Sequence, residues 1–174
     1  MTQPLKCTAW IITVSEPTTA AFPSRLKAQE DYLGTQLAPW LLDTPPAWLA
    51  RCHSFHFMRY IDASHEGHGG ITVELRFLGS ADVLAEAAPE VERALSEQQA
   101  SGAITKSQGK EVSGWRADDA YGGTTLNEPF AHLLASSSRL ALELLREPRR
   151  DFAARKAVVQ NWTHCVRLIA SGMG

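Results

Sequence analysis

The chain has 174 residues, of which 44% are hydrophobic and 21% charged, and its formal net charge is −2. This length suits one domain with a buried core, and the small charge provides no general attraction to nucleic acid or to membranes. Cys7, Cys52 and Cys165 form no CxxC pair, which indicates reduced thiols. No signal-peptide pattern or long apolar run is present, so we expect a cytoplasmic protein with no membrane or nucleic-acid partner.

The hydrophobic pattern then predicts four strands and four helices in chain order. Strands are predicted where apolar residues alternate, over residues 6–15, 53–61, 71–78 and 103–113. Helices are predicted where apolar residues recur every three or four positions, over residues 24–42, 82–100 and 150–170, and along a stripe from Leu126 to Leu144 that Pro148 ends. Gly34 and Pro39 weaken the first helix, and Asp82 is predicted to cap the second.

The order of these elements predicts the fold class. Strand–helix–strand–strand–helix–strand is the split βαβ pattern, so we expect an α+β fold with a ferredoxin-like antiparallel sheet, helices on one face and two C-terminal helices. Residues 1–174 are predicted to form a single domain, in which 147–174 make a helical tail.

The strand over 71–78 has the clearest alternation in the chain. Its apolar residues point one way, while Glu74 and Arg76 point the other. If helices cover the apolar side, Glu74 and Arg76 stand on an open face that the C-terminal helices can wall. They then either bind and polarise a peptide, or form cross-strand charge pairs on a wet surface.

Histidines and one further arginine extend the list of candidates. Arg59 falls on the apolar side of its strand, so its guanidinium needs a partner or a substrate, or else snorkels at the sheet rim. His65 and His68 lie in a glycine-rich loop, where a proton carrier is favoured over a metal site because no third ligand is evident. His53 and His56 are interpreted as structural or surface residues.

A tight turn precedes the third predicted helix. Gly122 and Gly123 permit positive φ and close approach of another chain, and Tyr121 and Trp115 stand beside them. A simple loop–helix junction explains the same pattern. No nucleophilic serine elbow, phosphate loop or dinucleotide fingerprint is present, so no cofactor or metal is expected.

Together these segments resemble the thiopeptide-type bacteriocin biosynthesis domain, which occurs at the C-terminus of class I lantibiotic dehydratases and as stand-alone proteins. The resemblance covers residues 8–147. It rests on the order and spacing of short motifs, namely Trp10, Ala38–Leu42, Phe57–Tyr60, Thr72–Phe77, Ala117–Gly123, Glu128, Phe130 and Ser136–Ser138.

The resemblance implies maturation of a ribosomally made peptide, and departures from the family pattern narrow the chemistry. The elimination domain removes glutamate from glutamylated Ser or Thr with the help of arginines and a glutamate. Here Glu74, Ala117 and Ala120 occupy three of those positions, and only Arg76 survives. Loss of these groups disfavours glutamate elimination, because they would stabilise the leaving carboxylate.

A second branch of the same fold fits better. Thiopeptide and pyritide pyridine synthases join two dehydroalanines in a formal [4+2] cycloaddition with loss of the leader peptide. The hypothesis assigns carbonyl polarisation or tautomer shuttling to Arg76 and Glu74, hydrogen-bond donation to Tyr121, and proton transfer to His65 or His68.

Substrate contacts and partners follow from the same resemblance. Binding of the peptide is assigned to the remaining candidates, namely Arg59, Tyr60, Trp115, Gly122 and Gly123. The partner is a precursor peptide with a leader and a dehydrated core; other maturation enzymes and a homodimer are compatible with the sequence. The alternatives are a non-catalytic leader-binding protein, which would add a strand to the sheet edge, and a glutamate-elimination lyase.

Overall fold

A four-stranded antiparallel sheet forms the centre of the fold in a computed structural model, which describes residues 5–15, 22–60, 70–112 and 127–146. The strands are β1 (Lys6–Val14), β2 (Ser54–Tyr60), β3 (Thr72–Gly79) and β4 (Ile104–Val112). The helices are α1 (Phe22–Tyr32), α2 (Ala81–Ala100) and α3 (Asn127–Arg146). In the described part of the chain, every helix is too short or too polar to cross a bilayer.

The strand order confirms the predicted α+β fold. The strands lie in the order β2-β3-β1-β4, and each neighbouring pair is antiparallel. The two central strands are therefore the first and third in sequence, as the split βαβ pattern requires. α3 follows β4 and is the first of the two predicted C-terminal helices, whereas the second, over 150–170, lies outside the described residues.

One face of the sheet, here called the core face, packs against α1, α2 and the segment between α1 and β2. Val73, Leu75 and Phe77 on β3 are completely buried there, as the alternation predicted. The Phe77 ring lies 5.7 Å from Trp10 and 5.0 Å from Trp48, measured between centroids in edge-on geometry. Aromatic rings in this arrangement attract each other. Phe77 of β3 therefore contacts β1 through Trp10 and the segment between α1 and β2 through Trp48.

The first helix continues past Gly34 and Pro39, the two residues that were predicted to weaken it. Two π-helical turns, Leu33–Leu37 and Pro39–Asp43, extend it, and a 3₁₀ helix over Ala47–Arg51 follows. Both π turns have hydrogen bonds that span five residues, from the Ala38 N–H to the Leu33 carbonyl and from the Thr44 N–H to the Pro39 carbonyl.

α2 begins one residue before its predicted start. Its N-cap is Ser80, whose side-chain oxygen accepts a hydrogen bond from the Val83 N–H. The prediction that Asp82 caps this helix is wrong: Asp82 lies in the first turn, where its negative charge complements the helix dipole.

α3 covers the outer edge of β2. The Phe57 N–H, on that edge strand, donates a 3.1 Å hydrogen bond to Ser138 Oγ of α3. Leu142 of α3 joins the main core, whereas Leu140 is 42% exposed. Edge strands expose unpaired backbone groups, so this helix protects β2 while β4 forms the other edge of the described sheet.

Candidate functional site

Polar side chains gather on the face of the sheet opposite the core face, here called the second face. One row across the four strands contains Lys110 of β4, Ala9 of β1, Arg76 of β3 and His56 of β2. Glu74 lies in the adjacent row, two residues from Arg76 on the same strand. Because Ala9 contributes only a methyl group, the long side chains of Lys110 and Arg76 can converge above β1.

Glu74 is the centre of this cluster. Its carboxylate is fully buried, and Oε1 accepts a 2.9 Å hydrogen bond from Arg76 Nε and lies 2.8 Å from Arg76 Nη2 in the same ion pair. Lys110 Nζ lies 3.6 Å from the same oxygen, and the Tyr60 hydroxyl donates to Oε2 at 3.4 Å. Burial of a carboxylate costs free energy unless the group is paired and hydrogen-bonded. The two cations and the tyrosine reduce this cost for Glu74.

His56 belongs to the same cluster, so of the two interpretations from the sequence, a structural or a surface residue, the surface one is wrong. It is 1% exposed and lies opposite Arg76 in the β2–β3 register. Burial and then the nearby Arg76 lower its pKa from 6.5 to about 4, while Glu74 acts in the opposite direction. The imidazole is therefore neutral at neutral pH and has one donor and one acceptor nitrogen.

Cys7 closes one end of the second face without offering a reactive thiolate. It packs with Leu78 of β3 and Ala131 of α3 in a small buried cluster. Burial raises the pKa of the Cys7 thiol from 9.0 to about 11, partly offset by Arg76. The protonated thiol is a poor nucleophile, so thiolate chemistry does not fit this position.

The second face is less open than the sequence predicted. Thr72, Glu74, His56 and Ile11 are all buried, while the Arg76 and Lys110 side chains keep partial exposure, at 19% and 26%. The expectation of an open face is therefore wrong at its centre. Glu74 is inaccessible to solvent, and Arg76 is the accessible member of their ion pair.

Arg59 is separated from this cluster. It lies on the core-face side of β2, where its Nε donates a 2.6 Å hydrogen bond to Gln29 Oε1 and its Nη2 is 3.9 Å from Glu30 Oε1. Burial lowers the pKa of Arg59, and the charge of Glu30 partly restores it. Of the alternatives that the sequence left open for Arg59, the structure shows a partner on α1, whereas Tyr60, the next residue, turns toward Glu74.

Six of the predicted site residues lie outside the described part of the chain, namely His65, His68, Trp115, Tyr121, Gly122 and Gly123. Their roles stay predictions. Among the described residues, no three His, Cys, Asp or Glu side chains are arranged to hold a metal ion. The structure brings together three predicted residues, Glu74, Arg76 and Tyr60, and adds His56 and Lys110 to them.

Sequence reasoning missed His56 and Lys110 for different reasons. Alternation along β2 placed His56 on the side away from Phe55 and Phe57, but only the pairing register sets it opposite Arg76. Lys110 lies in a polar strand that contains no recognisable motif. It lies near Arg76 only because β1 pairs with both β3 and β4, which places Ala9 between the two cations.

Comparison with known proteins identifies a solved structure with a similar fold. No protein-family model and no curated protein matches the chain. A crystal structure of the tRNA-dependent lantibiotic dehydratase MibB from Microbispora sp. 107891 is similar, with a TM-score of 0.61 and 25% sequence identity over 84% of this chain. This chain spans only 12% of that protein, so it is similar to one segment of a much larger dehydratase.

Proposed function

We propose that the chain acts in the maturation of a ribosomally made peptide and joins two dehydroalanines in a formal [4+2] cycloaddition. Its likeness to a segment of a lantibiotic dehydratase supports the broad role in peptide maturation. In the proposed reaction, one dehydroalanine and the iminol form of an adjacent amide make the four-atom component. Two new carbon–carbon bonds close a six-membered ring, and loss of water and of the leader peptide makes it a pyridine.

The observation that carries this proposal is the ion pair between Glu74 and Arg76. Arg76 Nε donates a hydrogen bond to Glu74 Oε1, and the opposing carboxylate offsets part of the guanidinium charge. A glutamate leaving group is stabilised by free cations, and the Glu74 carboxylate offsets part of the positive charge that Arg76 and Lys110 would otherwise provide. A cycloaddition needs orientation and modest polarisation of an amide, which a partly exposed guanidinium can supply.

The surrounding groups favour proton transfer over charge stabilisation. Conversion of an amide to its iminol moves a proton from nitrogen to oxygen, so it needs a donor near one atom and an acceptor near the other. We assign polarisation of the carbonyl to Arg76 and a supporting proton network to Glu74, Tyr60 and His56. His65, His68 and Tyr121 keep the proton-carrier and donor roles proposed for them from the sequence.

The test uses a synthetic precursor that carries a leader segment and two dehydroalanines. Mass spectrometry of a reaction with the full chain should show a core product that has lost water and the leader peptide. Arg76→Ala should lower turnover at least tenfold, because the amide is no longer polarised, whereas Arg93→Ala should not. Arg93 is an exposed arginine paired with Glu97 on α2, and it serves as the matched control.

Without Arg76, the buried Glu74 carboxylate keeps only Lys110 as a cationic partner among the described residues, which can destabilise the fold. A second variant therefore separates loss of activity from loss of stability. Arg76→Lys keeps the positive charge but has fewer donors, and it should fold while retaining intermediate turnover. Wild-type turnover in both Arg76 variants would remove this residue from the site. Release of glutamate from a glutamylated-serine peptide, with no ring formation, would instead establish the elimination lyase.

A leader-binding protein without catalytic activity is the second candidate, and the β4 edge favours it. β4 ends the described sheet, with no described strand on its outer side, and its Thr105, Lys106 and Gln108 side chains are exposed. An extended peptide can add to such an edge through backbone hydrogen bonds. Tight leader binding that is lost on backbone N-methylation, with the substrate mass unchanged, would favour this candidate over the enzyme.

A further inference from the structure

A polar pocket between the beginning of β2 and one face of α3 has no role in the proposed function. Its volume is about 200 Å³, and it shares no residue with the Glu74 cluster. His53 and Ser54 line one wall, and His132, Ser136 and Arg139 line the other. The last three follow one another at helical spacing, so α3 presents them on one face.

Arg139 is the one permanently charged residue of the pocket lining. Its guanidinium carbon lies 5.3 Å from the centroid of the Phe55 ring, which holds the cation by a cation–π contact. No carboxylate lines the pocket, and none of the described residues forms an ion pair with Arg139. The positive charge is thus oriented by the fold but not compensated within the described chain.

The opposite wall contains polar atoms whose hydrogen-bonding capacity is unused. His53 Nε2 and Ser54 Oγ are both buried and have no hydrogen-bond partner in the described chain. The His53 ring lies 5.0 Å from the His132 ring, measured between centroids. Buried polar atoms in folded proteins normally have partners, either in the protein or in ordered water, so these two atoms mark a place beside the cavity where a polar ligand or a water can be held.

We propose that this pocket binds a single carboxylate group. The planar guanidinium of Arg139 matches the two oxygens of a carboxylate, and the Ser54 hydroxyl and the His53 imidazole can donate from the other side. One permanent cation balances a monoanion, whereas a phosphate dianion would call for more positive charge. The inference does not depend on the cycloaddition, because the pocket residues and the Glu74 cluster are different.

A carboxylate can come from a small free acid or from an acidic side chain of a bound peptide. Acetate represents the first source. The capped tripeptide acetyl-Ala-Glu-Ala-amide represents the second, and its Gln counterpart provides an uncharged match. Imidazole NMR signals of His53 and His132 report binding directly, and sodium chloride keeps the ionic strength constant in all titrations.

We expect acetate and the Glu peptide to shift these signals saturably and to compete with each other, while the Gln peptide leaves them unchanged. A peptide source predicts that the Glu peptide binds at least tenfold more tightly than acetate; similar affinities indicate a small acid. Arg139→Gln should weaken binding at least tenfold, and the exposed α2 variant Arg93→Gln should bind like the wild type.

Ser54→Ala is the second variant, because it leaves Arg139 in place and should still weaken binding several-fold. Circular dichroism of each variant establishes that it is folded before titration. The proposal is overturned if neither acetate nor the Glu peptide gives a saturable shift in the wild-type protein. It is also overturned if folded Arg139→Gln and Ser54→Ala both bind as the wild type does.

Discussion

At the residue scale, the Glu74 carboxylate sets the character of the second face. Its Oε1 lies 2.8 Å from Arg76 Nη2 and 3.6 Å from Lys110 Nζ. One buried negative charge thereby offsets part of the positive charge of two cations, and the nearby His56 imidazole is neutral at neutral pH. The acidic residue at position 74 therefore lowers the net positive charge of this sheet face.

The buried His56 makes stability depend on pH in a defined window. Its pKa is 6.5 in the unfolded reference and about 4 in the folded protein, so the unfolded chain binds more protons between these values. The contribution is complete above pH 6.5 and is lost as the pH falls toward 4. We expect a loss of up to about 3 kcal/mol in the free energy of unfolding across this window.

Urea unfolding at several pH values measures this loss. His56→Gln, which cannot be protonated, should have a flatter dependence of stability on pH than the wild type. Leu140→Gln, at a position that is 42% exposed, provides the control because it removes no titratable group, and its dependence should match the wild type. Equal dependence in wild type and His56→Gln would show that His56 is not the group that titrates.

At the element scale, α3 is held in place by close backbone contact as well as by side chains. Its C-terminal turn meets the π-helical turn that contains Gly34, and Arg146 forms an ion pair with Asp43 nearby. A Cβ atom at position 34 would lie 2.5 Å from the Leu145 carbonyl oxygen and 2.9 Å from its carbon. The glycine that weakened the predicted helix is thus required for helix packing.

Gly34→Ala should therefore destabilise the protein by about 1–3 kcal/mol, because the backbone of α3 must move away. The sign of this change in the free energy of unfolding is informative, because Gly→Ala in an unobstructed helix raises that free energy by about 1 kcal/mol. Thermal or urea unfolding measures the difference. Gly79→Ala is the matched control, because its nearest new contacts, at 3.7 Å, are ordinary van der Waals distances. A stabilised Gly34→Ala protein would contradict the close approach.

At the scale of the whole molecule, the two faces of the sheet have different tasks. The core face holds the large apolar residues and supplies most of the buried hydrophobic surface. The second face combines a small apolar cluster with buried polar groups. Most of the apolar packing that stabilises the fold therefore lies on one face of the sheet, and the polar cluster lies on the other. Substitutions in the polar cluster leave the packing of the aromatic core in place.

Phe77 tests this division because its ring contacts Trp10, Trp48 and Phe55 from three other segments. Phe77→Ala should lower the free energy of unfolding by about 3–5 kcal/mol, through lost burial and a cavity. Leu140→Ala, at a position that is 42% exposed, should change it little. Chemical denaturation measures both, and a loss at Phe77 no greater than at Leu140 would contradict the central role of this ring.

The sequence by itself determined the element order, the fold class and the placement of Glu74 and Arg76 on one face of β3. These properties are local, because strand alternation and helical periodicity record which side of each element is buried. The tertiary structure alone decided that Glu74 is buried, that Lys110 and His56 join it, and that Arg59 turns to α1. Those outcomes depend on the strand register and on the neighbours across the sheet. The pairing partners are far apart in sequence, so no pattern within one segment encodes them.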